Sequence, residues 1–393
     1  MAEAYIVGAL RTATGKNRGR LSQTHPVDLG GMLVDGLIDQ VGIDPEKVDD
    51  LIFGCVSQNS EQAGNVARNV ALASKLGESV PGVSVDRQCG SAQQAIHFAA
   101  QAVMSGTQDV VIAGGVESMS RVPMFSNISD SAEQGRGMPK SERLEERYPG
   151  IEFSQFMGAD MLAKKYELTR EELDNFGYQS HMKALDATES GRFREEIMPI
   201  EVTLEGGISF THDADEGIRA NANLEALAGL EPLAEGGMIT AGSASQISDG
   251  SAAVMMANAD AVKKYGLKPR ARIHTLAVVG SDPIIMLEGP IPATQKALEK
   301  TGLKIEDIDL YEINEAFGSV PLAWAKAVGA DLNKLNVNGG AQANGHPLGC
   351  TGAKLMTTLL NELERRKGRY GLLAICEGGG TANCTIIERL DSE

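Results

Sequence analysis

A cysteine at position 89 has the surroundings of a nucleophilic thiol. Cys89 begins the run CGSAQQA, in which small residues let backbone amides approach the sulfur, and the pattern predicts a helix from there to about Ser105. Amides and the macrodipole at a helix N-terminus stabilise negative charge, so the pKa of such a thiol is expected to fall toward neutrality. The alternative is a buried, inert cysteine, since free cysteines are among the most buried residues.

Three further motifs carry groups that would support such a thiol. Asn314 follows a predicted strand, and active sites gather at such strand ends. His346 lies in GHPLGCTG (345–352), an irregular loop able to present an imidazole. Cys376 precedes a run of glycines that includes Gly378, whose backbone amides have no side chain to cover them. Taken singly, each has a structural alternative, namely a helix-capping turn, a structural histidine and a strand-end cysteine. Their combination favours catalysis.

Composition limits the class of protein. The chain has 393 residues, which predicts two or three packed units, and its 42% hydrophobic and 23% charged content is that of a globular protein. A net charge of −17 argues against a nucleic-acid partner. Five cysteines without a Cys-x-x-Cys pair predict neither a disulfide framework nor a metal site.

The two ends of the sequence bear on its location. The N-terminus carries the acidic Glu3 and no basic leader, and no apolar run approaches the roughly 18 residues of a membrane span. The final tripeptide, 391–393, is not the peroxisomal address. These features predict a cytoplasmic protein without a membrane partner.

The same order of elements occurs twice. In each half, apolar strands flank a long helix, and strands so continuously apolar predict an α/β fold with a buried parallel sheet covered by helices on both faces. The predicted strands lie at 51–54, 83–85 and 109–115 in the first half and at 310–313, 336–340 and 372–376 in the second, with helices at about 89–105 and 352–366.

Between the halves, the polar and glycine-containing region 121–250 predicts an inserted loop domain. Part of it is expected to be ordered, because Thr169 and Glu172 form a capping-box pattern before an amphipathic helix that carries Leu173 and Phe176.

Across essentially its whole length the chain resembles the thiolase family, and it is closest to the degradative bacterial type. The matching motifs, in order, are DRQCGS (86–91), GGVESMS (114–120), NEAF (314–317), GHPLG (345–349) and CEGGG (376–380). The resemblance implies a thiolase fold: duplicated βαβ halves in a five-layered α/β/α/β/α stack, with an inserted loop domain that binds coenzyme A. It also implies homodimers or homotetramers.

The domain boundaries follow from the two halves and the insertion. We expect the N-terminal thiolase half at 1–120, the inserted loop domain at 121–250, a return to the N-terminal half at 251–270 and the C-terminal half at 271–393.

By this resemblance, Cys89 is the nucleophile that accepts the acyl group, and His346 removes the proton of the Cys89 thiol. Cys376 exchanges a proton with the acetyl α-carbon or the coenzyme A thiol. Asn314, through a water, and His346 form one oxyanion hole, and the amides of Cys89 and Gly378 form the other.

The resemblance also implies contacts to the substrate. Ser245 would touch the pantetheine arm and Arg219 the nucleotide end of coenzyme A, a co-substrate in an enzyme with no permanently bound cofactor. Met157, Met286 and Phe317 would line the acyl pocket; as isolated apolar residues they would equally suit a core.

The implied reaction is acyl transfer between a 3-ketoacyl-CoA and coenzyme A, giving acetyl-CoA and a shortened acyl-CoA. Gln342 and Asn344 depart from the usual apolar residues before the histidine loop, and Phe156 and Glu288 argue against a plain acetoacetyl-CoA synthase. The stretch GGGTAN (378–383) is similar to the branch that acts on bulky or ring-derived acyl-CoAs.

Three alternatives are kept. One is biosynthetic acetoacetyl-CoA formation by Claisen condensation, and another is a ketoacyl synthase, which uses a cysteine with two histidines. The third is a non-catalytic acyl-CoA-binding or redox-sensing protein in which Cys89 and Cys376 form a disulfide. The remaining cysteines, Cys55, Cys350 and Cys384, are predicted to pack in the interior.

Overall fold

The computed structural model describes residues 3–204 and 206–390. The two terminal residues Met1 and Ala2 and the C-terminal tripeptide 391–393, on which the prediction of location partly depends, lie outside the described residues. Within the described ranges, no helix combines the length and the apolar character needed to cross a bilayer.

The first half of the chain alternates strands and helices. In chain order these are β1 (Tyr5–Thr12), β2 (Gly15–Lys16), α1 (Pro26–Val41), β3 (Asp50–Gly54), α2 (Val66–Leu72), β4 (Gly82–Val85), α3 (Ser91–Ser105) and β5 (Val110–Ser118).

The insertion is mostly helical, with short strands. It contains α4 (Ser126–Glu133), α5 (Glu142–Arg147), α6 (Gln155–Lys165), α7 (Arg170–Glu189), β6 (Ile197–Met198), β7 (Ile200–Thr203), β8 (Ser209–His212) and α8 (Leu224–Ala228).

The rest of the chain first adds elements to the first half and then forms the second half. Its elements are β9 (Ser248–Ala257), α9 (Ala259–Tyr265), β10 (Ala271–Gly280), α10 (Pro290–Thr301), β11 (Leu310–Ile313), α11 (Ser319–Val328), α12 (Ala341–Asn344), α13 (Thr351–Arg366), β12 (Tyr370–Glu377) and β13 (Thr381–Arg389).

Among the described residues, eleven strands form one mixed sheet, with main order β11-β12-β13-β10-β1-β9-β5-β3-β4. The two halves meet where β1 pairs antiparallel with β10, through Tyr5 opposite Arg272 and Ile6 opposite Ala271. Each half therefore contributes its own half-sheet to a continuous ladder.

The expectation of a parallel sheet is only partly correct. β3, β4 and β5 are parallel to one another, as are β11 and β12, but β9 runs antiparallel to β5 and β1, and β13 antiparallel to β12 and β10. The short turn 378–380 forces β13 to reverse against β12. Continuous apolar sequence reports burial of both faces and does not determine strand direction.

Helices α3 and α13 pack against each other between the two half-sheets. Their backbones approach closely, since a Cβ added at Gly352 would lie 2.2 Å from the backbone nitrogen of Gln93. The small residues predicted to allow this, among them Ala92, Ala95 and Ala99, are fully buried. Outer cores lie under α1 and α2 on one side and under α10 and α11 on the other, so helices and half-sheets alternate in five layers.

The helix predictions agree closely with the structure. The central helices begin at Ser91 and Thr351, and the capping box of α7 forms between Thr169 and Glu172 with Leu173 buried beneath it. The strand predicted at 336–340 is wrong: this segment makes only isolated bridges, such as Val337 with Gly339. The left-handed backbone of Asn336 and Gly339 explains why no regular strand forms there.

Candidate active site

Cys89 lies in a tight loop between β4 and α3. The Ser91 hydroxyl accepts from the amide of Arg87 (2.9 Å) and donates to the carbonyl of Gln88 (2.6 Å), and Gln88 adopts a left-handed conformation with φ of 49°. Such backbone is costly for a non-glycine residue and persists only where its surroundings enforce it. The loop thus holds Cys89 at the N-terminus of α3, 8% exposed.

The charge state of Cys89 differs from the expectation. Burial, with a smaller effect of the Glu377 carboxylate, raises the pKa of the Cys89 thiol to about 12. Desolvation disfavours the anion more strongly than the nearby backbone favours it. Cys89 is therefore a neutral thiol at rest, and it would need a base to act as a nucleophile.

His346 has the protonation state of such a base. Its Nδ1 lies 2.6 Å from the Thr351 hydroxyl, and that hydroxyl donates to the carbonyl of Pro347 (2.9 Å), so Thr351 accepts the Nδ1 proton. This network assigns the tautomer with an unprotonated Nε2. Burial, then the charge of Lys354, lowers the pKa of His346 to about 3, which keeps the ring neutral.

Asn314 joins His346 from the end of β11. Its backbone amide donates to the carbonyl of Ala374 (3.1 Å), which fixes the backbone beside β12. Its side-chain Nδ2 lies 3.4 Å from Nε2 of His346. Asn314 and His346 are both at least 97% buried, since their relative exposures are 1% and 3%. The side chains of Asn314 and His346, which come from distant motifs, thus meet in the protein interior.

Cys376 and Gly378 come from the end of β12 and the turn after it. Cys376 is fully buried, and burial, followed by the neighbouring Cys89, raises the pKa of its thiol. A Cβ added at Gly378 would lie 3.0 Å from the side-chain oxygen of Gln88, so this turn faces the Cys89 loop. The two halves of the chain therefore bring their thiols and the Gly378 backbone together.

Lys354 on α13 is a part of the site that the sequence analysis missed. Its buried ammonium donates to the carbonyls of Asn344 (2.8 Å) and Gly345 (2.9 Å), directly before His346. Burial lowers the pKa of Lys354 to about 8. A lysine flanked by the apolar residues Ala353 and Leu355, in a helix predicted to be central to the second half, was the available signal for this role.

Two carboxylates from the recognised motifs also hold the histidine loop. Glu117 on β5 accepts from the amides of Val56, Ser57 and Gly349, at 2.8 to 3.0 Å. Glu315 accepts from the amide of Gln342 (3.1 Å) and from the Ser180 hydroxyl (2.7 Å). Both are buried, and the hydrogen bonds that they accept hold the loop from two sides.

A cavity of about 470 Å³ leads to His346. Ser245, Arg219 and Phe317 line it, and Phe156 packs edge-on against Phe317 with ring centroids 5.6 Å apart. Apolar residues that the sequence analysis did not select also line it: Met119, Met124, Leu233, Ile247 and Leu348.

Two other predicted pocket residues lie elsewhere. Met157 on α6 is 55% exposed, and Met286 is buried in the core of the second half. Glu288 is held by Lys165 (2.6 Å) and by the Tyr166 hydroxyl (2.7 Å), so its charge is paired at the surface of α6.

A second cavity of about 230 Å³ adjoins the first at Arg219. Gln342 lines it, buried, with neither side-chain polar atom hydrogen bonded to another described residue. His181 accepts from the backbone amide of Arg219 (3.1 Å), and burial lowers the pKa of this histidine to about 4. Asn344 instead donates to the carbonyl of Asn338 (3.3 Å), inside the protein.

A buried thiol beside a second thiol, with a neutral imidazole in the same site, is typical of an acyltransferase that uses a cysteine nucleophile. The model described as "Thiolase, N-terminal domain" matches residues 4–260, and "Thiolase, C-terminal domain" matches 267–389. The chain belongs to the thiolase family.

Individual relatives agree with this assignment. The chain is 54% identical to a protein of Mycobacterium tuberculosis named "Steroid 3-ketoacyl-CoA thiolase FadA6", over 99% of this chain and 95% of that one. It is 42% identical, over the whole of both chains, to a "3-ketoacyl-CoA thiolase" of Photorhabdus laumondii. Its fold is similar to that of the Bacillus anthracis acetyl-CoA acetyltransferase, with a TM-score of 0.91, 38% identity and 99% of each chain covered. The predicted family and thiolase fold are confirmed.

Proposed function

We propose that this thiolase cleaves 3-ketoacyl-CoA with coenzyme A, through an acyl group carried on Cys89. The observation that carries the proposal is that Cys376 lies beside Cys89, and that His346 contacts Asn314, whose backbone is hydrogen bonded to Ala374, two residues before Cys376. The unprotonated Nε2 of His346 supplies the base that the neutral thiol of Cys89 requires.

In the first half-reaction, His346 takes the proton of Cys89, and the sulfur attacks the 3-keto carbon of the substrate. The bond between C2 and C3 breaks, the acyl group stays on Cys89, and the departing enolate of acetyl-CoA takes a proton from Cys376. Charge on the carbonyl oxygens is received by Asn314 and His346 at one position and by the amides of Cys89 and Gly378 at the other. Each donor contributes about 3 kcal/mol.

In the second half-reaction, the Cys376 thiolate removes the proton of an incoming coenzyme A thiol. The coenzyme A sulfur attacks the acyl group on Cys89, and the shortened acyl-CoA leaves while Cys89 recovers a proton from His346. Cys376 therefore ends the cycle as the thiol with which it began. No permanently bound cofactor takes part in this scheme.

The cavity supports coenzyme A and a bulky acyl group as its occupants. Ser245 contacts the pantetheine arm and Arg219 the nucleotide end, because both line the channel that leads to His346. Apolar side chains dominate its walls, and the Mycobacterium tuberculosis relative is named for a steroid substrate. We therefore assign the substrates to ring-derived or other bulky 3-ketoacyl-CoAs.

The test is coenzyme A-dependent cleavage of a panel running from acetoacetyl-CoA to long-chain and ring-bearing 3-ketoacyl-CoAs. Turnover that Cys89→Ala abolishes, with preference for bulky substrates, is the expected result. An inert panel beside a Cys89 that still reacts with iodoacetamide would contradict the proposal and favour a binding or sensing role. Preference for acetoacetyl-CoA would contradict the bulky assignment.

The proposal includes a homodimer or homotetramer in the cytoplasm. Val83 on the edge strand β4 is exposed, as are Leu72 and Phe98 on the neighbouring helices, and such an apolar edge supports self-association. Light scattering of the purified protein should give two or four times the mass of one chain. A monomer would contradict this part of the proposal.

A further inference from the structure

Glu377 places a buried carboxyl directly beside the nucleophile loop. It is the last residue of β12, next to Cys376, and is fully buried. A Cβ added at Gly90 would lie only 1.9 Å from Oε1 of Glu377, so this oxygen touches the backbone that follows Cys89. The carboxyl therefore lies between the two halves of the active site.

The two oxygens of Glu377 have different surroundings. Oε2 accepts from the Thr381 hydroxyl on β13 at 2.7 Å. Oε1 is buried and has no hydrogen-bond partner among the described residues. A carboxylate with one unpaired oxygen inside a protein is costly, whereas the protonated acid is much less so.

We propose that Glu377 is a positioning residue that acts through Cys89: it stays a neutral carboxylic acid during turnover, and its ionisation in alkaline solution suppresses formation of the Cys89 thiolate. The inference rests on the proposed role of Cys89 as the nucleophile. It assigns a task to a residue that no step of the reaction scheme uses.

The groups around the carboxyl agree with this role. Burial raises the pKa of Glu377 to about 8, and the Thr381 hydroxyl, the charge of Arg87 and the backbone amide of Asn383 oppose that rise only in part. In return, a charged Glu377 raises the pKa of both Cys89 and Cys376.

Two further carboxylates act on the nucleophile itself. Asp86 and Glu117 raise the pKa of Cys89 by smaller amounts than Glu377 does. Glu117 is held by amides of the Val56 and Gly349 loops, and Asp86 accepts from the amide of Gln88. Glu377 thus has the largest charge effect on the nucleophile among these groups.

The experiment is the pH profile of Cys89 alkylation by iodoacetamide between pH 6.5 and 10, in the wild type and in Glu377→Gln. The wild-type rate should rise with pH, flatten as Glu377 ionises near pH 8, and then rise again. The amide stays uncharged, so the Glu377→Gln rate should rise without flattening. At pH 9 it should exceed the wild-type rate by about fivefold, and the ratio should approach about tenfold, the factor that one pKa unit at Cys89 gives, once Glu377 is fully ionised.

Thr381→Val provides a second, graded test with little change of shape. Loss of the hydroxyl removes a group that favours the charged carboxylate, so the flattening should move to higher pH. Glu299→Gln, an exposed residue on α10, is the matched control and should reproduce the wild-type profile.

Superimposable profiles of the wild type and Glu377→Gln would overturn the inference. If Glu377→Gln fails to fold, an unmoved flattening in Thr381→Val would overturn it equally. Alkylation needs no acyl-CoA, so altered profiles without thiolysis would leave this inference standing and remove the proposed function. Thiolysis together with unaltered profiles would support the proposed function and overturn this inference.

Discussion

At the scale of single residues, Thr351 determines what His346 can do. Its hydroxyl proton is committed to the carbonyl of Pro347, which leaves its oxygen to accept the Nδ1 proton of His346. The imidazole is thereby held with its free nitrogen toward Asn314. A residue five positions along the chain from the histidine thus selects the tautomer with an unprotonated Nε2.

Thr351→Val keeps the shape of the side chain and removes the acceptor. We expect kcat/KM to fall by about tenfold or more, because a buried N–H without a partner costs about 1–3 kcal/mol and the other tautomer becomes populated. Steady-state thiolysis measures the loss. Thr351→Ser restores the hydroxyl and should recover most of the activity; an equal loss in both variants would contradict the assigned network.

The motifs select the candidate reacting groups but do not predict their electrostatics. Cys89, His346, Cys376 and Asn314 were selected from the sequence because glycine-rich loops and strand ends mark such residues. The pKa of Cys89 was expected to fall and is instead raised, because the turn after β12 buries the thiol and because Glu377 beside it, when charged, adds to the rise. That effect depends on contact between segments almost 290 residues apart, which no local pattern contains.

At the scale of secondary-structure elements, β5 is the support on which the histidine loop lies. A Cβ added at Gly115 would lie 1.9 Å from the carbonyl oxygen of Gly349, and Glu117, two residues further on, holds the amide of the same glycine at 2.8 Å. Gly115 and Glu117 of the GGVESMS motif therefore position the loop that carries His346, whereas Met119 of the same motif lines the cavity. This explains a recognised motif to which the sequence analysis gave no role.

Gly115→Ala should displace this loop. We expect a loss of about 1–3 kcal/mol in the free energy of unfolding, typical of overpacking, together with reduced kcat. Urea denaturation and thiolysis assays measure the two effects. Gly137→Ala, where a Cβ would meet open space, should change stability by less than about 0.5 kcal/mol. If Gly115→Ala behaved like that control, the contact would not have the importance given to it.

Elements with strong local signals were predicted almost to the residue. The capping box of Thr169 and the small-residue face of α3 are local sequence patterns that indicate a helix without information from the rest of the chain. The direction of β9 and β13 was not predictable in the same way, since it depends on how the chain returns to the sheet. Val337 and its neighbours resemble a strand in sequence, yet left-handed positions on either side prevent one.

At the scale of the whole molecule, a buried histidine lies where α3 of the first half packs against the second half. His97 on α3 lies 2.7 Å, through Nε2, from the hydroxyl of Thr385 on β13. Burial lowers the pKa of His97 to about 3. The folded protein therefore excludes a proton that the unfolded chain takes up below its ordinary pKa of 6.5.

The contribution of His97 to stability is complete above pH 6.5 and is lost as pH falls from 6.5 toward 3. Between pH 7 and pH 5 the loss should be about 2 kcal/mol. His97→Gln cannot titrate, so its stability relative to the wild type should improve by that amount over this interval. Denaturant unfolding of both proteins at the two pH values measures it, and a pH-independent difference would show that His97 does not titrate as described.

The central claim is that the acyl group is carried on Cys89, and intact-protein mass spectrometry tests it most directly. The enzyme is mixed with a bulky 3-ketoacyl-CoA in the absence of free coenzyme A, quenched in acid, and digested to locate any adduct. We predict acetyl-CoA release with one shortened acyl group on the peptide that contains Cys89, removable by added coenzyme A and absent from Cys89→Ala. Acetyl-CoA release from Cys89→Ala, or an acyl group found on another residue, would contradict the account.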